Sequence, residues 1–286
     1  MSKSVKHENA KELDQFYTLP DYAKQFYADV ANTVNLNRAE LLLEPSAGAG
    51  SFFELLDPQR RLGLDLDPQA ADIVKTDFFD WQPPEDTVIY TIGNPPFGKN
   101  SNLAVQFFNR AAEFSDVIAF VLPRTFRKHS LVNRLNRNFH CVYDETVPEN
   151  SFVYESKPYD VWCCAQIWQK QKNQRDLHKI LKLSEFSDLF DVVEPADADF
   201  EIQRVGGGAG LIRTTNFDSY STESHYFIRQ KDLRVLDCFK ACDFDRVKYN
   251  TVGNPSISPS ELLELFVEQA SLTGIEITFG HGLFSQ

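Results

Sequence analysis

Short apolar runs rich in β-branched residues alternate with amphipathic helical patterns along the first 170 residues or so, and no other feature constrains the fold as strongly. Seven such runs can be counted, from LLLE, which precedes a glycine turn, to PYDVWCCAQIWQK. Strands that alternate with helices predict a mostly parallel sheet with helices on both faces. An antiparallel orientation is left open for the seventh run. The sequence therefore predicts an α/β domain with a seven-stranded sheet.

The composition changes near residue 170, and this change predicts where the α/β domain ends. Residues 171–197 are polar and charged, which indicates a linker that contains one helix. Residues 198–286 contain short alternating runs such as DFEIQRV and SHYFIRQ, separated by glycine and polar turns. We therefore expect three parts, namely the α/β domain over residues 1–170, the linker, and a small C-terminal α+β domain.

In the C-terminal part, the stretch SPSELLELF has the residues that typically begin a helix. Ser258 can act as the capping residue, Pro259 suits the first helical position, and Glu261 completes a capping box. These residues predict that a helix begins at Pro259.

The charge distribution argues against a broad basic surface of the kind that wraps duplex nucleic acid. The 286 residues carry a net charge of −12, whereas such surfaces are strongly positive. One segment, Pro123–His140, has no acidic residue, and we expect it to form a basic helix after the fifth strand. Its basic residues besides histidine are Arg124, Arg127, Lys128, Arg134 and Arg137.

Neither a membrane span nor a metal site is predicted. No run approaches the ~20 apolar residues that a spanning helix needs, and the first residues, MSKSVKHENAKELDQ, are polar. We therefore expect a cytoplasmic protein. The five cysteines include no C-x-x-C pair, so we expect buried thiols rather than metal ligands.

Acidic side chains follow three of the predicted strands. Glu44 ends the first strand, just ahead of a turn that contains Gly48 and Gly50, while Asp65 ends the second strand and Asp77 the third. Because ligands of doubly wound sheets bind at the carboxyl ends of the strands, these side chains should meet at one site. A carboxylate at the glycine turn suits a cationic or hydroxyl-bearing ligand better than a pyrophosphate, which disfavours a dinucleotide.

Two of these acids stand where a nucleoside could bind. An acid at the end of the second strand can accept hydrogen bonds from both ribose hydroxyls; Asp65 is favoured, and Asp67 remains the alternative. At Asp77, the carboxylate and the backbone N–H of Phe78 can pair with an adenine edge, and Phe78 or Phe79 can pack on the ring. The acids therefore indicate a ligand with a nucleoside part.

The stretch GNPPFG follows the fourth strand and suits neither a helix nor a central strand, because proline lacks the N–H group. The Asn94 side-chain oxygen and the Pro95 carbonyl can each accept one hydrogen bond, and the rigid Pro95-Pro96 backbone keeps both aimed at one point. A planar amino group offers two matching N–H donors. Phe97 supplies a ring on which a base can stack. The loop therefore predicts a site for a planar amino group.

Four motifs in the order EPSAGAG, GLDLDP, TDFFDW and GNPPFG resemble those of the class I S-adenosylmethionine-dependent methyltransferases, whose fold is Rossmann-like. More narrowly, N-P-P-F is similar to the motif of the methyltransferases that act on N6 of adenine. The upstream stretch LDQFYTLPDYAKQFYADV resembles the N-terminal cofactor motif of the gamma-type DNA adenine methyltransferases, with Tyr17, Thr18 and Pro20 in the matching places. The resemblance covers about residues 14–170.

The resemblance implies S-adenosylmethionine as the cofactor and places its parts on this chain. The residues implied for the methionine part are Glu44, Ser46, Gly48 and Gly50, covered by Tyr17 and Thr18. Those implied for the adenosine part are Asp65, Asp77 and Phe78, and Asn94 adjoins both the cofactor and the acceptor.

The resemblance also implies residues for the acceptor, a base that relatives acting on duplex DNA first extrude from the stack. Those implied at the acceptor amino group and its base are Asn94, Pro95, Pro96 and Phe97. Phe152 is the candidate for a second aromatic on the base, with Tyr154 behind it. The residues expected to contact the nucleic acid are Lys99, Arg124, Arg127 and Lys128.

The implied activity is methyl transfer to the N6 amino group of adenine in DNA, and residues 1–170 would be the catalytic domain. The alternatives are the same reaction on structured RNA, methylation of a protein glutamine amide, an inactive partner subunit, and an NAD-dependent dehydrogenase. The chain departs from the gamma-type pattern in one respect. Those enzymes generally carry a large target-recognition domain, whereas only residues 171–286 follow the catalytic part here.

Overall fold

The computed structural model describes residues 17–154 and 157–277. The chain divides into two units, Met1–His178 and Lys179–Gln286. The boundary between them lies inside the segment 171–197, which we expected to be a linker.

The first unit contains the predicted seven-stranded sheet. Its described strands are β1 (Tyr17–Thr18), β2 (Leu41–Glu44), β3 (Arg61–Asp65), β4 (Ile73–Lys75), β5 (Ile89–Gly93), β6 (Ser115–Pro123), β7 (Phe139–Thr146), β8 (Phe152–Tyr154), β9 (Lys157–Tyr159) and β10 (Cys163–Lys170). The central sheet has the order β4-β3-β2-β5-β6-β10-β7.

The pairing in this sheet confirms the predicted fold class, a Rossmann-like and mostly parallel sheet. Strands β4, β3, β2, β5 and β6 run parallel to one another. The seventh predicted run, β10, is antiparallel to both of its neighbours. Strands β1, β8 and β9 form a separate small antiparallel sheet.

Helices cover both faces of the central sheet. The described α-helices of the first unit are α1 (Pro20–Thr33), α2 (Asn102–Ala112) and α3 (His129–Val132). Ile167 and Trp168 are successive residues of β10, which pairs regularly with β6, so they point to opposite faces, and Tyr143 of β7 stands opposite Ile167. The Tyr143 hydroxyl donates to Asp29 of α1, and the ring of Phe108 in α2 packs 5.3 Å from Trp168. The two long helices therefore lie on opposite faces.

Two predicted helices are replaced by shorter turns. After the glycine turn the chain forms only a 3₁₀ turn, Phe53–Leu55, and returns to extended backbone because Pro58 disfavours helix in the residue before it. The basic segment forms a 3₁₀ turn, Arg124–Arg127, followed by the four-residue α3. Asn136 lies in the rest of that segment, and its side chain accepts a local backbone bond from Asn138 that competes with helix.

The second unit is a small α+β unit, as predicted. Its described strands and α-helices are β11 (Phe190–Val192), β12 (Phe200–Gln203), β13 (Ile212–Arg213), β14 (His225–Gln230), α4 (Val235–Ala241), α5 (Asp245–Lys248) and α6 (Pro259–Ala270). The strands form an antiparallel sheet in the order β11-β14-β12-β13. Phe186 and Phe190, which fall in the expected linker, pack in the core of this unit. In place of the expected linker helix, the chain has a 3₁₀ turn at Leu183–Phe186 and then β11.

The capping box predicted for the last helix is confirmed. The backbone N–H of Ser258 donates to Oε2 of Glu261 at 2.9 Å, and the Glu261 N–H donates to Oγ of Ser258 at 3.4 Å. Pro259 occupies the first helical position of α6.

Within residues 17–154 and 157–277, no helix has the length and apolar character needed to cross a membrane. The same residues contain no group of three or more His, Cys, Asp or Glu side chains placed to hold a metal ion. Four of the five thiols are buried as expected, but Cys141 of β7 is exposed because that strand lies at the edge of the sheet.

Candidate active site

A cavity of about 290 Å³ lies at the carboxyl ends of β2, β3 and β5. Parallel strands bring the ends of distant sequence segments to one edge of the sheet, and this cavity collects residues from every predicted motif. The predicted site residues that line it are Tyr17, Thr18, Glu44, Ser46, Gly48, Asp65, Asp77, Phe78, Asn94, Pro95, Pro96 and Phe97.

The glycine turn after β2 forms part of the cavity wall. Gly48 and Gly50 have φ of +48° and +88°, the left-handed region in which glycine is not strained. A Cβ atom on Gly48 would lie 2.9 Å from Cε1 of Tyr17, so the tyrosine ring rests directly on the turn. Gly50 shapes this turn but is outside the cavity lining.

Glu44, at the end of β2, is a buried carboxylate with an unused oxygen. Its residue is only 3% exposed, and Oε2 has no hydrogen-bond partner among the described residues. Burial raises the pKa of Glu44 well above its usual range; the backbone N–H of Phe53 opposes this rise, and the nearby Asp65 carboxylate adds to it. The buried hydroxyl of Thr18 in the same cavity likewise has no partner within the described part of the chain.

Asp65, at the end of β3, holds the glycine turn in place. Its Oδ2 accepts from the backbone N–H of Gly48 at 2.8 Å, and its Oδ1 accepts from the N–H of Asp67 at 2.8 Å. Each carboxylate oxygen has a further lone pair for a ligand hydroxyl. Asp67 also lines the cavity but is exposed. Burial, followed by the charges of Asp65 and Asp67, raises the pKa of Tyr17, which lies beside them.

Asp77 follows β4 and forms the next part of the wall. Its Oδ1 accepts from the backbone N–H of Phe79 at 2.9 Å, which fixes the carboxylate in a local turn. The Phe78 side chain is 2% exposed, and its ring stacks on Phe107 of α2 with centroids 5.2 Å apart. The aromatic rings therefore give the cavity a flat apolar side next to the carboxylate.

The loop Asn94–Phe97 leaves β5 and faces the same cavity. The Ser46 hydroxyl donates to the Asn94 carbonyl at 3.2 Å and so ties this loop to the turn after β2. Phe97, the ring predicted to stack on a base, is 6% exposed and packs in the core while lining the cavity. Its carbonyl accepts from the N–H groups of Leu103 and Ala104, both at 3.1 Å, which holds the ring against the start of α2.

Phe152, the candidate for a second aromatic on the base, does not line the cavity. It is 1% exposed and packs in the core of the first unit. In the small sheet, β8 pairs with β1, and Phe152 stands opposite Thr18. Tyr154 of the same strand is half-buried, with its ring 5.7 Å from that of Tyr159.

The four basic residues predicted to contact nucleic acid lie outside the cavity lining. Arg127 is held within the protein, because Nε donates to Oδ1 of Asp144 at 2.9 Å and Nη1 donates to the Thr146 hydroxyl at 3.0 Å. The Arg124 guanidinium lies 5.7 Å from the ring of Trp162. Lys99 is exposed directly after the Asn94–Phe97 loop, and Lys128 is half-buried.

Some contacts around the cavity cannot be predicted from the sequence, whereas others follow from a sequence pattern. The Ser51 hydroxyl donates to the Thr18 carbonyl at 2.7 Å and fixes β1 over the cavity, a link that nothing in the local sequence indicates. Phe107 lies on the buried face of the predicted helix α2, so its apolar spacing was a usable signal for a wall residue.

No protein-family model and no curated protein matches the chain. Solved structures with a similar backbone include a candidate RNA methyltransferase from Pyrococcus horikoshii, with 18% identity and a TM-score of 0.43 over 56% of this chain and 88% of that one. A candidate class I S-adenosylmethionine-dependent methyltransferase from Listeria monocytogenes has 12% identity and a TM-score of 0.42 over 57% and 63%. The 23S rRNA methyltransferase ErmE has 16% identity and a TM-score of 0.40 over 87% and 97%. Structural similarities with TM-scores this low do not indicate what this chain does.

Proposed function

We propose that the protein is a methyltransferase that uses S-adenosylmethionine to methylate the N6 amino group of adenine in DNA. One observation carries the proposal. A single cavity is lined both by the acids that suit a cationic nucleoside ligand and by the Asn94–Phe97 loop that suits a planar amino group.

The cavity residues fit S-adenosylmethionine, which supplies an electrophilic methyl group when bound. The buried Glu44 Oε2 lacks a hydrogen-bond partner within the described residues, and an ammonium group would provide both a donor and a compensating charge. The Thr18 hydroxyl, which has no partner within residues 17–154 and 157–277, is a second polar atom for the same end of the ligand. The free lone pairs of Asp65 suit ribose hydroxyls, and Asp77 with the Phe78 wall suits an adenine ring.

The acceptor half of the reaction belongs to the Asn94–Phe97 loop. The side-chain oxygen of Asn94 and the carbonyl of Pro95 would accept the two N–H groups of the adenine amino group and aim its lone pair into the cavity. As the nitrogen forms its new bond, these N–H groups become more acidic, so both hydrogen bonds strengthen. Interactions that are stronger in the transition state than in the ground state lower the barrier.

An adenine can reach this cavity only when it is unstacked from its neighbours. The phosphate contacts that hold such a strand are proposed for Lys99, Arg124 and Lys128, whereas the ion pair of Arg127 with Asp144 favours a role within the protein. Residues 1–170 are proposed as the catalytic domain. Target recognition is the role proposed for the C-terminal domain.

The proposal is tested by methyl transfer from radioactive S-adenosylmethionine to unmethylated DNA, total RNA and protein, followed by nucleoside analysis of the product. N6-methyladenine in DNA is the expected product. Label found only in RNA would move the reaction to the other polymer, and label at cytosine N4 or on protein would overturn the adenine assignment.

The Asn94→Ala variant tests the role of the Asn94–Phe97 loop, which we call the acceptor loop. We expect kcat to fall by about 100- to 1,000-fold, because one transition-state acceptor is lost, with cofactor affinity changed by no more than a few fold. Asn173→Ala, at an exposed position outside the cavity, is the control and should retain full activity. Equal loss of cofactor binding and of transfer in Asn94→Ala would mean that the loop is only structural.

A further inference from the structure

The acceptor loop leaves the cavity through a strained backbone. Gly98, Asn100 and Ser101 have φ of +66°, +55° and +61°. Glycine adopts this region without strain and asparagine tolerates it, but it costs Ser101 about 1 kcal/mol or more, so at Ser101 it persists only where other contacts impose it. The Ser101 N–H donates to the Gly98 carbonyl at 3.1 Å, but this bond lies within the turn itself. A contact from another element of the first unit adds to these local bonds.

That contact is a hydrogen bond between two hydroxyl groups. Oγ of Ser101 lies 2.7 Å from Oγ1 of Thr125, and Ser101 is only 3% exposed. Thr125 belongs to the 3₁₀ turn Arg124–Arg127 that follows β6. The bond thus joins the loop after β5 to the turn after β6, at the edge of the sheet where the cavity lies.

The turn that carries Thr125 is itself bonded to β7, the edge strand of the central sheet. Arg127 bonds to Asp144 and Thr146 of β7. The other oxygen of Asp144 accepts from Nε2 of Gln166 at 2.8 Å, and Oε1 of Gln166 accepts from the indole N–H of Trp168 at 3.0 Å. Gln166 is 2% exposed in β10. Thr125 is two residues before Arg127 in the same turn, and hydrogen bonds run from Arg127 to the buried part of the sheet.

We infer that Thr125 is a positioning residue for the acceptor loop, and that Arg127 anchors it through Asp144. The inference rests on the proposed function for its effect on catalysis. Thr125 lies outside the cavity lining and therefore touches no reacting atom. It keeps the strained turn in one conformation, and so keeps Asn94 and Pro95 aimed at the amino group. A small displacement of such groups can lower a rate by up to about 100-fold without altering ligand affinity.

The test compares Thr125→Val, which keeps the shape and removes the hydroxyl, with Thr125→Ser, which restores it. Thr91→Val is the matched control, because Oγ1 of Thr91 also makes a buried 2.7 Å bond to the hydroxyl of Ser115, within β5 and β6 rather than between the segments that follow them. The measurements are kcat and KM for DNA, the dissociation constant for the cofactor, and hydrogen exchange of the Leu103 and Ala104 amides that bond to the Phe97 carbonyl.

Thr125→Val should lower kcat by about 10-fold, with KM and cofactor affinity within about twofold of the wild type. Thr125→Ser should recover most of kcat, and Thr91→Val should leave it unchanged. The two amides should exchange at least about fivefold faster in Thr125→Val alone.

Wild-type kcat together with wild-type exchange in Thr125→Val would overturn the inference, and so would an equal effect in Thr91→Val. If Thr125→Val does not fold, Ser101→Ala removes the same bond from its other side and must give the same pattern. If the wild-type protein transfers no methyl group, the proposed function fails, and the exchange of the two amides still decides whether Thr125 holds the loop.

Discussion

Replacing Glu44 by glutamine should stabilise the first unit at neutral pH and weaken cofactor binding. The carboxylate is 3% exposed, with one oxygen lacking a partner among the described residues, and burial raises its pKa well above the usual value of 4.5. A group of this kind binds a proton in the folded state that it has already lost in the unfolded state. Its contribution to stability is therefore complete below pH 4.5 and is lost as the pH rises through the folded pKa.

The magnitude follows from this linkage. Between pH 4.5 and the raised pKa of Glu44, the free energy of unfolding of the wild type should fall by about 1.4 kcal/mol per pH unit relative to Glu44→Gln. For a unit of this size that slope corresponds to about 3–6 °C in melting temperature per pH unit. Above the folded pKa the difference between the two proteins should become constant.

Tryptophan fluorescence during urea unfolding is a suitable assay, because all three tryptophans, Trp81, Trp162 and Trp168, lie in the first unit. Glu54→Gln, with 61% of the Glu54 side chain exposed, controls for the change in net charge. A stability difference between wild type and Glu44→Gln that stays the same from pH 5 to pH 8 would refute the reasoning. Binding of S-adenosylmethionine to Glu44→Gln should be about 10- to 150-fold weaker, the value of one charge-assisted hydrogen bond.

Three further substitutions test other parts of the structure. Gly98→Ala should lower stability by about 1–3 kcal/mol in thermal melts, because its Cβ would lie 2.6 Å from Cβ of Leu103 at a φ of +66°; a stability equal to the wild type would contradict the left-handed turn. Phe152→Ala should lower the free energy of unfolding by about 3–5 kcal/mol because of the cavity it leaves. A stable Phe152→Ala protein that has lost all methyl transfer would indicate instead that this ring contacts the acceptor base. Ser258→Ala should cost the second unit about 1 kcal/mol by removing the cap that bonds Glu261, measured by circular dichroism, and Ser258→Asp should restore it.

Much of the fold could be predicted because its signals are local. Most strands of the central sheet are apolar runs bounded by turn residues, and the capping box at Ser258 and Glu261 is complete within four residues. The acids at the ends of β2 and β3 could be placed together because parallel strands bring their carboxyl ends to one edge, whatever lies between them. The strand β11 was missed because its apolar residues, including Phe190, stand in a charged segment and are buried by elements far along the chain.

The sequence by itself determined which residue types meet at the cavity, since the order of motifs and the parallel sheet place Glu44 near the Asn94 loop. The tertiary structure decided what each neighbour of that cavity can do. Phe152 packs in the core of the first unit, and the Arg127 side chain is held by a hydrogen bond to Asp144 of β7. The bond from Ser101 to Thr125 joins two segments that are distant in the sequence, and no local sequence pattern predicts that they meet. Burial and ion pairing depend on partners brought together by strand register, so only the folded chain reveals them.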